Sequence, residues 1–156
     1  MQKTTAQAPG LHRASLKKLH ELDAALELMY YGWRGMTLAA DEYLATLGLS
    51  RPHHRILYVV ARRPDISIGA LLEVLGISKQ ALNRPLGLLL ERKLLTSKRS
   101  PEQHRSKLLH LTDAGQRIEQ RASGYERKVL REAFDRVGAP GTAAWMAVMG
   151  AIADNN

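Results

Sequence analysis

Residues 67–115, SIGALLEVLGISKQALNRPLGLLLERKLLTSKRSPEQHRSKLLHLTDAG, constrain the fold more than any other part of the chain. Leu71, Leu72 and Leu75 form the apolar side of a short helix that Gly76 stops. Ser78 then opens a second helix, expected over 79–93, with Lys79, Gln80, Asn83 and Arg84 on or near its exposed side and Leu82, Leu86 and Leu89 facing the core. Residues 94–99 and 107–112 read as two short antiparallel strands around a basic loop, with Leu109 and Leu111 alternating with Lys107 and His110. A short helix, a turn, a helix with a polar N-terminal face and a basic hairpin make a shape suited to a DNA major groove.

Charge placement points the same way. The chain carries a formal +8. Between Lys79 and Lys107 there are eight bases and only two acids, Glu91 and Glu102, so +6 of that charge lies in under a fifth of the length. A solvated basic face is the ordinary explanation of such a run, and its coincidence with the helix–turn–helix–hairpin pattern favours a polyanion as partner. There are no cysteines, which excludes disulfides and thiol redox sensing and fits a cytoplasmic protein. No apolar run approaches the ~20 residues that span a bilayer. The first ten residues, MQKTTAQAPG, lack the apolar core of a secretory signal and read as a frayed polar tail.

Outside the central segment the pattern is helical. Residues 11–48 read as one long helix with its stop, an apolar stripe running through Leu16, Leu19, Leu22, Leu26, Met29, Tyr30, Trp33 and Leu44. Gly32 and Gly35 interrupt it and suggest a kink or the close approach of another backbone, and Gly48 ends it. Ser50 caps a helix over 51–63 with Ile56, Leu57, Val60 and Ala61 inward, closed by Pro64-Asp65. Thr112 caps a helix over 113–137, Gly138 to Gly141 read as a turn, and a last helix over 142–153 carries Trp145, Met146, Met149 and Ile152 on one face. The expected organisation is therefore a tail (1–10), an N-terminal dimerisation helix (11–48), a compact helical unit with a hairpin (50–115) and C-terminal helices (116–156). The terminal apolar stripes find no partner in one copy, so pairing of two copies is the simplest way to cover them.

This arrangement resembles the MarR family of winged helix-turn-helix regulators over nearly the whole chain. LGIS followed by LNR resembles the family's turn and recognition-helix opening, LERKLL its passage into the wing, and RSPEQHRSKLLHLTDAG the wing with its tip Arg and closing Leu-x-Leu-Thr-x-x-Gly. The implied fold is mainly α with a small β-hairpin wing, flanked by N- and C-terminal dimerisation helices. The implied function is sequence-specific binding of double-stranded DNA by a homodimer, with no cofactor or catalytic residue. Effectors in this family are often small aromatic or phenolic acids. Tyr30, Trp33 and His53 are tentative ligand residues on that ground, although a plain dimer core is the better account of the aromatics.

Three positions depart from the family pattern. Pro85 lies inside the recognition helix, where it removes a hydrogen bond and is expected to bend the helix just after Arg84. Gln103 stands where an acid usually braces the tip Arg, with Glu102 a candidate substitute. Lys93 stands where glycine usually ends the helix, so a left-handed cap there would be strained.

Roles follow from side-chain chemistry. Ser78 caps the helix and stands where exposed amides take a phosphate. Gln80 and Asn83 suit adenine and Arg84 suits guanine, with Lys79 beside them. Arg105 at the hairpin tip suits a narrow minor groove, with His104 next to it, and Arg99, Ser106 and Lys107 suit phosphates. His53-His54 does not make a metal site: neighbours on a helix point ~100° apart, and no cysteine or acid stands at ligand spacing. One of the pair packing between domains explains them better. Two other readings remain open at this point, a helical dimer acting through protein partners and a DNA coat that does not read sequence. An enzyme finds no support, since neither a Gly-rich phosphate loop nor a nucleophile motif occurs.

Overall fold

The computed structural model describes residues 22–99 and 107–155. It places the chain in two compact units, Met1–Gly35 and Met36–Asn156. The tail, residues 11–21 of the expected first helix, and the hairpin loop with Glu102, Gln103, His104, Arg105 and Ser106 lie outside the described residues.

Helix α1 is Asp23–Thr46. It continues through Gly32 and Gly35, and among the described residues a Cβ at either would meet nothing within 4 Å. In the first unit Leu22, Leu26, Leu28, Met29, Tyr30, Tyr31 and Trp33 are all exposed. In the second unit Ala40 and Leu44 join the core. Gly48, at φ 63°, ends the helix with the two bonds of a Schellman cap: Leu49 N donates to Leu44 O (2.9 Å) and Gly48 N to Ala45 O (3.0 Å).

Helix α2, Arg51–Arg62, buries Ile56, Leu57, Val59 and Val60 as its 3.6-residue period requires. A two-residue strand, β1 (Ile66–Ser67), precedes α3 (Ile68–Leu75), whose N-cap Ser67 accepts from Ala70 N and whose end is Gly76 at φ 61°. Helix α4 is Lys79–Glu91. Strands β2 (Leu95–Arg99) and β3 (Lys107–Leu111) form the hairpin, and α5 runs Asp113–Ala153. The sheet is antiparallel in the order β1-β3-β2, so the wing is three-stranded rather than a bare hairpin. Two residues are too few for a periodic signal, which is why the sequence did not disclose β1.

The expected turn at 138–141 is narrower than its sequence suggests. Only Gly138 leaves helical geometry (φ 70°, ψ −177°), a conformation open to glycine and hardly to any other residue. Thr142 Oγ1 donates to Gly138 O (2.9 Å), and Phe134 meets Trp145 edge-on at 5.3 Å across the break. Beyond it Trp145, Met146, Val148 and Ile152 are exposed.

Candidate nucleic-acid interface

The α3–α4 pair is set by two local devices. Gly76 turns the chain with its N–H shared between Leu72 O and Glu73 O, and Ser78 Oγ accepts from Ala81 N (3.2 Å) to start α4. Leu82, Leu86 and Leu89 are buried, which fixes the helix's rotation. That rotation leaves Lys79, Gln80, Asn83 and Arg84 exposed on the first two turns, with Gly87 exposed one turn later. The helix is not interrupted at Pro85: it continues to Glu91, the proline ring half-buried.

The end of α4 is a second Schellman cap, with Lys93 in the glycine position. Leu94 N donates to Leu89 O (2.9 Å) and Lys93 N to Leu90 O (3.0 Å), and Lys93 takes φ 55°. The strain foreseen there is present. Three contacts hold the corner. Thr112 Oγ1 donates to Lys93 O (2.8 Å), Thr112 N donates to Leu94 O (3.2 Å), and Gly115 approaches so closely that a Cβ would stand 2.0 Å from Leu94 O. Thr112 also caps α5, its oxygen accepting from Gly115 N (3.1 Å). On the other side Arg92 Nη1 donates to Leu47 O (2.6 Å), bracing the α1–α2 corner. Nothing in the local sequence pairs residue 92 with residue 47, so this brace was not foreseen.

In the hairpin, Leu95 and Leu109 are buried while residues 96–99 and Lys107 are exposed on the edge side. Arg99 lies directly opposite Lys107 in the register. Like charges facing each other across two strands destabilise a hairpin, so this pair marks a surface suited to an anion. His110 is not simply solvated: it is half-buried, its Nε2 3.2 Å from Asp65 Oδ1.

The two adjacent histidines have separate environments. His53 Nδ1 accepts from Ser50 N (3.0 Å) and lies 2.9 Å from Ser50 Oγ, taking the place a glutamate holds in a capping box. Burial and the positive charge of Arg92 hold it below its ordinary pKa. His53 also lines a cleft of about 880 Å³ beside α4, with Ser50, Asn83, Arg84 and Leu88. Tyr30 and Trp33 belong to the first unit and His53 to the second. His54 is buried and tied to α5 through Ser123, which agrees with a packing role for one of the pair. Among the described residues no group of three or more His, Cys, Asp or Glu is placed to hold a metal, and no helix is long and apolar enough to cross a membrane.

Residues 47–106 match the sequence model of the MarR family. Over 147 residues the chain is 31% identical to the HTH-type transcriptional regulator PetP of Rhodobacter capsulatus, which covers 94% of this chain and 89% of that protein. The crystal structure of a MarR-family transcriptional regulator from Silicibacter pomeroyi has the same fold, with a TM-score of 0.70 at 22% identity over 84% of this chain and 88% of that one. A mutant MarR from E. coli complexed with operator DNA matches with a TM-score of 0.66 at 18% identity, over 86% of this chain and 99% of that one. The chain belongs to the MarR family of winged helix-turn-helix transcriptional regulators.

Proposed function

We propose that this regulator reads a pseudo-palindromic duplex as a homodimer, in the cytoplasm, with one α4 in each of two successive major grooves. The observation that carries the reading is the face of α4: a helix anchored by three buried leucines leaves Lys79, Gln80, Asn83 and Arg84 exposed together at a capped N-terminus. Asn83 and Gln80 supply the paired donor and acceptor that adenine requires, and Arg84 the two donors that guanine requires. Lys79, Ser78, Arg99 and Lys107 serve phosphates, and the Arg99–Lys107 repulsion is relieved when one lies between them. His104, Arg105 and Ser106 complete the wing in this reading, Arg105 entering the minor groove. The exposed apolar residues of the first unit and of the C-terminal segment are the surfaces a second copy would cover. The E. coli MarR complexed with operator DNA supports the assignment by fold.

If an effector acts here, His53 is the tentative ligand residue that lines a described cleft, and a small aromatic acid in it would compete with DNA for Asn83 and Arg84. Tyr30 and Trp33 fit a dimer surface at least as well.

The test is selection of bound duplexes from a random pool, repeated with Arg84→Ala. A two-fold symmetric motif whose binding weakens by roughly 1–3 kcal/mol in the variant is the expected result. Unchanged affinity in Arg84→Ala would remove Arg84 from the reading face. Binding without a motif would show a non-specific coat, and binding with little salt dependence would point to protein partners instead.

A further inference from the structure

The joint between α2 and α5 holds a chain of polar side chains that the DNA-reading face does not use. Buried His54, 2% exposed, sits at its centre. His54 Nε2 is 3.1 Å from Ser123 Oγ, and Ser123 Oγ donates to Glu119 Oε1 at 2.7 Å. Glu119, itself 4% exposed, takes Arg62 Nη1 at 2.9 Å, and the Arg62 guanidinium lies over the Tyr58 ring. On the other side of the imidazole, Nδ1 is 3.1 Å from Arg51 Nη1 and 3.7 Å from Glu126 Oε1. Arg51 pairs with Glu126 and donates to Thr37 O (3.1 Å). Its Nη2 also lies 2.6 Å from Asp41 Oδ1, an ion pair without a hydrogen bond's alignment. The charged groups around the ring are thus Asp41 from α1, Arg51 and Arg62 from α2, and Glu119 and Glu126 from α5.

Proton counting fixes the state of the ring. A serine hydroxyl has one hydrogen, and Ser123 gives it to Glu119. Ser123 Oγ must then accept from His54, so the proton of the neutral ring is on Nε2. Nδ1 is left with a lone pair, which the Arg51 guanidinium meets as a donor. Every partner of the neutral ring is therefore matched. A proton on Nδ1 would set an N–H against a guanidinium N–H at 3.1 Å, with like charges on both. The acceptor it needs is Glu126, which Arg51 occupies.

We propose that His54 is a proton-sensitive positioning residue: neutral, it locks α2 onto α5, and protonated, it takes Glu126 from Arg51 and loosens the joint on which the DNA-reading unit is held. The consequence for DNA rests on the function proposed above, whereas the joint itself does not. Burial holds the ring below its ordinary pKa of 6.5, Glu126 opposing and Arg51 assisting. The unfolded ring binds its proton more tightly than the folded one. The joint's contribution to stability is therefore complete above about pH 6.5 and declines as pH falls toward the folded value.

Three readouts on the full chain test this. Long-range nitrogen–proton NMR of histidine-labelled protein reports the tautomer, thermal melts report the linkage, and binding to a duplex selected from a random pool reports the effect on DNA. Each is taken from about pH 7.5 to about pH 5.5, the range in which histidine switches. The comparison variant is His54→Gln, whose amide still offers a donor to Ser123 and does not titrate. The expected results are the Nε2–H tautomer at the upper pH, and a loss of melting temperature on acidification that His54→Gln reduces. Wild-type DNA affinity should also fall a few-fold more than the variant's over this range, since one unit of linked pKa difference produces its full tenfold factor only below both pKa values. The Nδ1–H tautomer in the wild type would overturn the proposal even if the variant failed to fold, as would identical pH profiles for the two proteins. No duplex bound at any pH, with the Nε2–H tautomer in place, would overturn the DNA-binding reading and leave the joint standing.

Discussion

Replacing Lys93 by glycine should stabilise this protein, and the size of the gain follows from the cap geometry. Lys93 occupies the left-handed position of a complete Schellman motif at φ 55°. A side-chain-bearing residue there costs roughly 1–2 kcal/mol, and glycine removes that cost. Against it stand the larger unfolded-state entropy of glycine, roughly 0.4–1 kcal/mol, and the loss of an exposed positive charge near a helix C-terminus, about 0.3 kcal/mol. Lys93→Gly is then worth about +0.5 kcal/mol. Lys93→Ala loses the charge and keeps the strain, so it should be slightly destabilising. The difference between the two variants, about 1 kcal/mol, isolates the backbone term because the charge cancels. For a chain of this size it corresponds to roughly 2–4 °C in melting temperature. Urea and thermal unfolding at one fixed protein concentration would measure it, since the homodimer proposed above would make apparent stability depend on concentration. Equal stability of the glycine and alanine variants, or a more stable alanine, would refute the strain argument.

Two other substitutions probe the same corner. Gly115→Ala places a methyl 2.0 Å from Leu94 O, a backbone atom that cannot rotate aside. It should cost about 3 kcal/mol, lowering the melting temperature by roughly 6–12 °C, and a shift below a degree would show that the approach is not obligatory. Arg92→Ala removes the bond to Leu47 O and should cost about 1 kcal/mol. Amide exchange at Gly48 and Leu49 should quicken while that of the α5 core stays unchanged, and unchanged exchange at the α1–α2 corner would show that Arg92 braces nothing.

How much of this was legible depended on whether the governing signal was local. The helix starts at Ser50, Ser78 and Thr112 and the glycine stops at 48 and 76 are written in one or two residues each, and the structure uses all of them. The division of α4 into buried Leu82, Leu86 and Leu89 and an exposed polar face follows from its period alone. Lys93 was legible as strain because the expected glycine is missing. Pro85 does not end the helix: one missing amide bond in thirteen residues is outweighed by the leucines packed on either side of it. The α2–α5 joint had no local signal: Arg51 and Glu126 are 75 positions apart, and His54 and Ser123 are 69 apart. A half-buried ion pair of that separation becomes visible only when the helices are packed. The doublet at 53–54 read as packing rather than a metal site, but its sequence did not say which member packs: His53 bonds to Ser50 at the start of α2, and His54 is the buried one, against Ser123.

The strained Lys93 also bears on how the reading face is held. Strain persists only where the surroundings over-determine the conformation, and here they do so from two sides. Thr112 and Gly115 fix the corner to the start of α5, and Arg92 in the adjoining position fixes it to the carbonyl that ends α1. The C-terminal end of α4 is thereby tied to both neighbouring elements by hydrogen bonds and close backbone packing, while its N-terminal end is held by the core packing of Leu82 and by the turn through Gly76 and Ser78. If a proton on His54 moves α5 against α2 as proposed above, the Leu94–Gly115 contact is the tie through which that movement should reach the end of α4. Gly115→Ala should therefore blunt the pH response of DNA binding as well as lower stability, at temperatures where the variant is folded. Should its DNA affinity follow pH as the wild type's does, the corner is a structural tie and the path from His54 to the reading face runs elsewhere.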